Sequence, residues 1–484
     1  MHPAVSSLRA ALGPDSVLTA PAVQTALRRD ALRPHRGFHA MTGFEQPPVA
    51  VVQPDSTQQV VDLVAIARRH ALPLVPRGGG SGLMGGALSV RPGIIVDLRR
   101  LDRILALDRQ ALSVRVQSGV RLRTLAAYLD QHGLLLGHDP WSVGVATVGG
   151  ALSTNGLGYL GGRYGSMGDQ VLGLEAVLGT GTVVRTPALR KRSTGPDLAR
   201  LFIGAEGTLG IVTEVTLRIF PRPQTRALLG FTFADFPSGF RALLEMQSCG
   251  LQPSSMDLSV DSWPPELQER QTAPESDTAP ASTASPTAYL VLVFDGREAE
   301  VAAQQDLARA IALRHGGVAE DKAADLDAYW STRHSAADRW AADPAQRDGV
   351  WLDTRAGKAQ LDYLHLSIPV TKLLGFRLRV ADRLQASPVR LCQEAVWIWP
   401  ECYSLVLYCS PVRDPAAART MRQTTDTILR IAQDIGGSIE YVHGIGVRLS
   451  HLIQRELGSG MAVLRGLKAS LDPAGIMNPG KLGL

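Results

Sequence analysis

The first part of the chain contains two patterns of hydrophobic positions, short apolar runs typical of strands and apolar residues at helical spacing. Residues 49–52 and 72–76 are apolar runs of strand length, whereas residues 60–67 repeat apolar side chains at helical spacing. Ser56 and Thr57 stand just before this segment, where a hydroxyl side chain can cap the first free N–H groups of a helix. The pattern predicts a strand–helix–strand unit.

The same reading extends this unit into a domain over residues 46–223, preceded by a helical lead-in over residues 1–45. A helix over residues 123–131 stops at Gly133, and a glycine turn at residues 179–181 joins two strands. Further strands are predicted over residues 93–98, 112–116, 172–178, 183–184 and 210–220, and a further helix over residues 197–203.

Pro221 and Pro223 mark a boundary after which the pattern changes. The strands and helices of residues 224–442 are predicted to form an α+β domain, and we expect its sheet to be antiparallel. Within it, residues 263–287 are rich in Pro, Ser, Thr and Ala and are predicted to form a disordered surface loop. Residues 443–484 are predicted to form a helical C-terminal segment punctuated by Gly and Pro.

Glycine is the residue type that stands out in the composition. The chain has 48 glycines in 484 residues, against a usual share of about 7%. Six of the eleven residues 76–86 are glycine, and Gly80, Gly82 and Gly85 match a dinucleotide fingerprint. That fingerprint must open a helix, but here Pro92-Gly93 and an apolar strand follow. The segment is therefore either a flexible turn or a nest of N–H groups for an anion.

A second glycine segment favours the ligand-binding interpretation. Nine of the 25 residues 144–168 are glycine, and small hydroxyl and amide side chains lie between them. A loop of this length in a compact domain is usually functional. A third glycine turn surrounds Glu206. Backbone donors with small polar side chains suit a long polar ligand such as a dinucleotide.

These motifs in this order resemble the FAD-linked oxidase superfamily, of the vanillyl-alcohol-oxidase (PCMH) type. The resemblance rests on residues 76–86, 137–140, 148–156 and 204–214. It implies an α+β fold with a two-subdomain FAD-binding domain, an α+β cap domain and a C-terminal helical segment that returns to the flavin. It implies FAD contacts at Pro76, Arg77, Gly78, Gly79, Gly80, Ser81, Gly82, Asp139, Pro140, Thr147, Gly149, Gly150, Ser153, Thr154, Asn155, Gly156, Glu206, Gly207, Ile211 and Asn478.

Residues 442–446 and 471–481 resemble the D-lactate dehydrogenase and glycolate oxidase D-subunit branch of that superfamily. Oxidation of a 2-hydroxy acid needs a base for the hydroxyl proton, a hydride acceptor and a cation for the carboxylate. His443 aligns with the active-site histidine of the family and is the candidate base, although a packed histidine in a glycine turn is the alternative.

The other two candidate catalytic residues are Arg333 and Tyr403. Arg333 lies where the family has a W-x-x-R motif and is the candidate carboxylate clamp, with Arg355 as a fallback and a solvated helix arginine as the alternative. Tyr403 is the candidate phenolic acid or base, and Tyr408 and Tyr441 are weighed beside it. A packed strand tyrosine is the other interpretation of each.

The chain departs from the dehydrogenase branch at its metal ligands. That branch carries two histidines and a glutamate that bind a divalent metal, whereas residues 396–405 here hold no histidine and Val442 takes the place of the glutamate. Since hard and nitrogen ligands are missing together, we expect no catalytic metal. Residues 137–140 and 192–198 also resemble the alkyl-glycerone-phosphate synthase branch, which uses FAD without net redox change.

Charge and cysteine content argue against some classes of protein. The net charge is only +5, and the densest basic run, residues 190–192, has no aromatic platform beside it, which argues against nucleic-acid binding. Four cysteines without a C-x-x-C pair argue against a disulfide scaffold or zinc ribbon. Without a signal-like start we expect a cytoplasmic protein.

We therefore expect an FAD-dependent oxidoreductase that oxidises a small hydroxy acid or alcohol without a catalytic metal. A non-redox transferase of the alkyl-glycerone-phosphate synthase type and a degenerate flavoprotein with a binding role are the alternatives. The sequence leaves open the electron acceptor (a cytochrome, a quinone, an electron carrier or oxygen), peripheral membrane contact and an oligomer.

The first glycine segment generates a prediction about how FAD is attached. Many members of the family link FAD covalently through a histidine in or near this segment, but residues 77–86 contain none. We expect all of the flavin to leave the polypeptide when the holoprotein is denatured in acid or guanidinium, as measured by absorbance after filtration. Flavin that stays on the denatured chain would contradict this.

Overall fold

The computed structural model describes residues 2–32, 36, 46–263, 287–320, 323–342, 360–409 and 415–484. Residues 264–286 of the predicted surface loop and Arg355 lie outside the described residues. The described part of the chain forms three larger sheets with helices packed against them. Helices and strands are numbered in chain order below.

Several helices begin at the cap that the sequence supplies. Ser56 accepts the N–H of Gln59, and Asp235 accepts that of Ser238. The helices are α1 Pro3–Leu12, α2 Pro21–Leu27, α3 Thr57–Arg69, α4 Leu122–Asp130, α5 Val148–Thr154, α6 Gly161–Tyr164, α7 Phe236–Ser248, α8 Glu298–Arg314, α9 Ala323–Thr332, α10 Ser335–Ala342, α11 Leu373–Gln385, α12 Pro415–Asp434, α13 Ile453–Leu457 and α14 Gly460–Leu471. Instead of the predicted helix over residues 197–203, only the 3₁₀ turn Leu198–Leu201 forms, because Pro196 and Gly204 leave too few residues to nucleate a helix.

The strands are short in the first half of the chain and long in the second. They are β1 Val17–Leu18, β2 Ala50–Val52, β3 Leu74–Arg77, β4 Ile94–Asp97, β5 Ile104–Asp108, β6 Ser113–Gln117, β7 Leu134–Leu135, β8 Val171–Val177, β9 Val183–Arg185, β10 Ile211–Arg218, β11 Phe220–Pro221, β12 Thr225–Phe233, β13 Ser255–Asp261, β14 Ala288–Gly296, β15 Val318–Ala319, β16 Gln360–Ser367, β17 Arg390–Trp397 and β18 Cys402–Cys409.

Two sheets build the first half of the molecule. One has the strand order β1-β2-β4-β3, in which β2 and β3 both pair parallel with β4. The parallel pairing requires a crossover, and α3 supplies it, as the strand–helix–strand pattern predicts. The other sheet is antiparallel, with the order β5-β6-β10-β8-β9, and packs its apolar face against α4 and α5.

The second half is built on one antiparallel sheet with the order β15-β12-β14-β13-β17-β18-β16. One face of this sheet is apolar and forms the largest core cluster with α7, α8, α11 and α12. The other face carries polar and aromatic side chains on four neighbouring strands, including Asp257, Trp397, Ser404 and His365. Side chains alternate between the faces of a strand, so register decides which residues meet on the polar face.

The C-terminal segment packs back on the first half. Leu74 in β3 forms a parallel bridge with Met477, and the Lys468 ammonium donates to the carbonyls of Thr208 and Met477 at 2.8 and 2.6 Å. One buried carboxylate, that of Asp362 in β16, pairs with Arg448 of the C-terminal segment and with Arg36 of the lead-in. These contacts bring the glycine turn that bears His443 to the border of the two halves.

Candidate active site and FAD cradle

The first glycine segment forms the turn that follows β3. Gly78 and Gly79 pack against residues 145–147, and a Cβ at either position would overlap with Thr147 or Val145. Glycine is therefore required at both positions for the two glycine-rich segments to touch. The segments of residues 76–86 and 144–168, which are predicted to bind the same ligand, therefore contact each other.

Backbone N–H groups of this turn are available to a ligand. In the part of the chain that the structure describes, the N–H groups of residues 79–82 donate to no protein acceptor. Gly80 adopts the left-handed conformation, with a φ of +71°. Successive unpaired N–H groups without a Cβ between them form a site for an anionic group. The turn thus fits the diphosphate of FAD.

Arg77 shapes this turn from behind. Its buried guanidinium donates to the carbonyls of Leu27, Gly78 and Arg29. Burial lowers the pKa of Arg77 to about 10, with Arg99 adding to the effect. The side chain thus ties the lead-in to the glycine turn, and contact of Arg77 with FAD stays a prediction.

The third glycine turn joins the other two. Glu206 has a φ of +49°, its N–H donates to the Ser153 carbonyl at 2.9 Å, and its own carbonyl accepts from Asn478 Nδ2 at 2.6 Å. Gly207 packs on Pro76, where a Cβ would lie 2.9 Å from Pro76 Cγ. Five residues predicted as FAD contacts therefore converge from four parts of the chain.

Asn478 leaves one polar atom for a ligand. Its Nδ2 also donates to the Gly86 carbonyl at 2.9 Å, whereas its buried Oδ1 has no donor among the described residues. A buried acceptor without a partner is costly, which is expected where a bound cofactor completes the bonding. Asn478 therefore fits a role in holding FAD.

Residues 144–168, predicted to be a loop, contain α5 and α6. Thr147 caps α5 by accepting the N–H of Gly150, and the Ser153 and Thr154 hydroxyls donate to carbonyls one turn earlier. Asn155 ends the helix at a φ of +49° and accepts the Gly168 N–H at 2.9 Å. The polar side chains predicted to bind the ligand thus shape a short helix.

Two of the predicted FAD contacts have side chains that pack against other parts of the protein. Ile211 is 1% exposed and its side chain packs in the core of the first half, and its contact with FAD stays a prediction. The Asp139 carboxylate binds Arg333 at 2.8 Å and His334 at 2.9 Å. Burial opposes ionisation of Asp139, but hydrogen bonding to His334 and the charge of Arg333 outweigh it and lower its pKa. Asp139 therefore joins the two halves.

The same contacts correct the role predicted for Arg333. Its guanidinium donates to Asp139 and to the Trp330 carbonyl and lies 4.1 Å from the centre of the Trp330 ring. Its side chain is 17% exposed. A bidentate grip on a substrate carboxylate needs a free guanidinium edge, and Asp139 already occupies this one.

Tyr403 lies on the wrong face of its strand for catalysis. It is 1% exposed in the apolar core, its hydroxyl donates to Glu394, and its ring packs against Phe236 and Phe376. Glu394 in turn binds Arg377. The catalytic role predicted for Tyr403 is therefore corrected to a structural one.

The polar face of the large sheet meets the turn of residues 440–446. The Tyr441 and Ser404 hydroxyl oxygens lie 2.7 Å apart, and Ser404 Oγ lies 2.8 Å from His365 Nδ1. The His365 ring centre is 4.7 Å from that of His443, in an edge-to-face arrangement. His443, the predicted base, thus lies beside a hydroxyl–imidazole chain.

Glu440 places a negative charge beside His443. Its carboxylate accepts the N–H groups of Val442 and His443 at 2.8 and 3.0 Å and lies 3.5 Å from His443 Nδ1. Burial opposes ionisation of Glu440, but His443 and these N–H groups outweigh it and lower its pKa. Burial lowers the pKa of His365 to about 3, so this imidazole is neutral.

Sequence reasoning missed His365, Ser404 and Glu440 and weighed Tyr441 only as an alternative. Alternation along β16 and β18 could have found the first two, since both lie on the polar face and are paired in register. Glu440 stands two residues before the position where the family carries its glutamate. Among the described residues, no group of three His, Cys, Asp or Glu side chains is arranged to hold a metal ion.

Two family models match the chain, the FAD binding domain over residues 48–187 and the C-terminal domain of FAD linked oxidases over residues 222–482. The chain belongs to the FAD-linked oxidase family. The predicted recognition, the α+β fold class and FAD as the cofactor are thereby confirmed. Within the described residues of this FAD-linked oxidase, no helix combines the length and apolarity needed to cross a bilayer.

Relatives of this FAD-linked oxidase include the probable mitochondrial D-lactate dehydrogenase of Danio rerio, 29% identical over 99% of this chain and 91% of that protein. Glycolate oxidase subunit GlcD of Bacillus subtilis (strain 168) is 26% identical over 92% of this chain and 91% of its own. The solved structure of an alkyldihydroxyacetonephosphate synthase has a TM-score of 0.76 at 20% identity, covering 100% of this chain and 86% of its own.

The pairing of Arg333 with Asp139 generates a second prediction. We expect Arg333→Met and Asp139→Asn each to lower the free energy of unfolding by about 2 kcal/mol, because each leaves a half-buried charge or polar group unpaired. The double variant should be little worse than either single variant, giving a coupling of about 1–3 kcal/mol in a denaturant cycle.

The exposed pair of Arg222 with Asp130 is the matched control, since an ion pair in solvent contributes less than about 1 kcal/mol. Strictly additive losses at positions 333 and 139 would contradict the pairing and restore Arg333 as a candidate clamp.

Proposed function

We propose that this protein oxidises a small hydroxy acid or alcohol by removing a proton at His443 and a hydride from the neighbouring carbon. The observation that carries the proposal is the position of His443. It stands on a turn held beside the FAD-binding segments, with Glu440 on one side and His365 on the other. The family assignment supports an oxidoreductase, and the D-lactate dehydrogenase and glycolate oxidase relatives support a hydroxylated substrate.

The residues present fit FAD, which when bound supplies the acceptor for the hydride. The N–H groups of residues 79–82 would hold its diphosphate, and Asn478 would contribute its free Oδ1. The turns at residues 204–207 and 443–446 bring the base to the same place. The protein's part of the reaction is thus to bind FAD, to orient the substrate and to remove the proton of its hydroxyl group.

His443 accepts the substrate hydroxyl proton at an imidazole nitrogen. Glu440, ionised and buried beside it, stabilises the imidazolium that results. His365 is kept neutral by burial, so it accepts or donates a hydrogen bond without adding a competing positive charge. Loss of the proton and transfer of the hydride leave a carbonyl product, and the electron pair passes on to an acceptor that we expect to be a carrier, a quinone, a cytochrome or oxygen.

Tyr441 and Ser404 complete the neutral chain that orients His365. Burial raises the pKa of Tyr441 well above its usual value, so the phenol stays protonated and can donate a hydrogen bond. Besides the ionised Glu440, the cluster contains the neutral His365 and the protonated Tyr441. We therefore propose a mechanism without a catalytic metal, in which hydrogen bonds replace chelation in holding the substrate oxygen.

The proposal predicts that substrate reduces the bound flavin. Holoprotein mixed anaerobically with a panel of D-2-hydroxy acids and simple alcohols should lose its flavin absorbance with at least one of them. His443→Gln should keep its flavin but be reduced about 100-fold to 10,000-fold more slowly, the usual contribution of a general base. The measurement is stopped-flow absorbance of the flavin.

His132→Gln is the matched control, because His132 lies just after α4 and its imidazole hydrogen-bonds to the Tyr128 carbonyl, away from the His443 cluster. It should be reduced at the wild-type rate. If no hydroxy acid or alcohol bleaches the wild-type protein, the redox proposal is wrong. Exchange of an acyl for an alkyl group on a phosphorylated ketone without bleaching would then favour the transferase alternative.

A further inference from the structure

The turn that bears His443 is held by a carboxylate from the other half of the molecule. The N–H groups of Ile445 and Gly446 point at Glu206, with distances of 2.6 Å to Oε1 and 2.8 Å to Oε2. Gly444 and Gly446 both adopt left-handed conformations, with φ values of +78° and +54°. Such a backbone aims successive N–H groups at one anion.

Glycine at position 444 allows the carboxylate to approach. A Cβ there would lie 2.6 Å from Glu206 Oε1, so a larger residue would push the carboxylate out of this position, and the φ of +78° disfavours a larger residue as well. The contact is therefore specific to this pairing of a glycine turn with a glutamate. His443 immediately precedes the glycine, so movement of the turn would move the base.

Glu206 is itself fixed in place. Its N–H and carbonyl are bonded to Ser153 and Asn478, and the residue is 5% exposed. The charges of Lys481 and Asp30 act on its pKa in opposite directions, and the Lys481 ammonium donates to the carbonyls of Leu88 and Pro479. Among the described residues, the hydrogen bonds to the Glu206 carboxylate all come from the His443 turn.

We infer that Glu206 is a positioning residue that holds His443 in register with the FAD-binding segments. This inference rests on the proposed function for its kinetic consequence, but the contact itself can be tested without a substrate. Both carboxylate oxygens of Glu206 accept from the turn, and contact of this residue with FAD stays a prediction.

Burial, more than any neighbouring charge, raises the pKa of Glu206 to about 7, although the N–H groups of Gly446 and Ile445 oppose the rise. A protonated carboxyl keeps one good acceptor oxygen in place of two. The hydrogen bonds from the turn to Glu206 should therefore weaken as the pH falls below about 7. A glutamine should imitate the protonated state at every pH.

The test is hydrogen–deuterium exchange of the holoprotein, followed by mass spectrometry of peptides that span residues 443–446. At pH 8 the protection factor of this segment, which is corrected for the intrinsic pH dependence of amide exchange, should be about 10-fold lower in Glu206→Gln than in the wild type. In the wild type the protection factor should fall as the pH drops below about 7, whereas in Glu206→Gln it should not change with pH. Glu206→Ala, the second variant, should exchange at least as fast. Unchanged exchange in both variants would overturn the inference.

Glu175→Gln is the matched control, since Glu175 is a buried glutamate that bonds to Thr57, Thr213 and Arg185 in the first half. Its exchange at residues 443–446 should equal that of the wild type. Equal acceleration in the control would show a general loosening and would also overturn the inference.

The rate of flavin reduction distinguishes a residue that positions His443 from one that only stabilises the turn. With the hydroxy acid or alcohol that reduces the wild type, Glu206→Gln should lower the limiting rate of flavin reduction about 100-fold, while its dissociation constants for FAD and substrate stay unchanged. Faster exchange with an unchanged reduction rate would reject the positioning role. If no substrate reduces the wild type, the proposed function fails while the exchange result still decides the contact.

Discussion

The close approach of glycine residues to neighbouring segments is the constraint on which the rest of this structure depends. Glycine turns from distant parts of the chain meet where a Cβ would overlap with a neighbour, as at Gly78, Gly79 and Gly446. Only glycine permits such contacts. What they create is a turn whose N–H groups at residues 79–82 remain free among the described residues, where we propose that the diphosphate of FAD binds.

The second half of the molecule contributes polar side chains to the candidate site from one face of its large sheet. Its apolar face is covered by helices, which leaves the other face to polar side chains on β13, β16, β17 and β18. Register aligns His365 with Ser404, and the turn of residues 440–446 adds Tyr441 and His443. The Asp139–Arg333 pair and the buried Asp362 then hold the two halves together.

Much of this arrangement could be predicted from the sequence because local pattern carries it. The glycine segments, the parallel unit around α3 and the family resemblance all follow from residues close together in the chain. The side-chain roles of Arg333 and Tyr403 could not be predicted, because they depend on partners far away. Arg333 meets Asp139 across 194 positions, and the fate of Tyr403 depended on which face of β18 becomes core.

The central claim is that the free N–H groups of the first glycine turn and the His443 turn serve one FAD molecule. A crystal structure of the reconstituted holoprotein tests it most directly. The account predicts the FAD diphosphate within hydrogen-bond distance of the N–H groups of residues 79–82 and the reactive edge of the flavin facing His443 and His365. A diphosphate elsewhere, or a flavin ring separated from His443 by the Asp139–Arg333 contact, would contradict it.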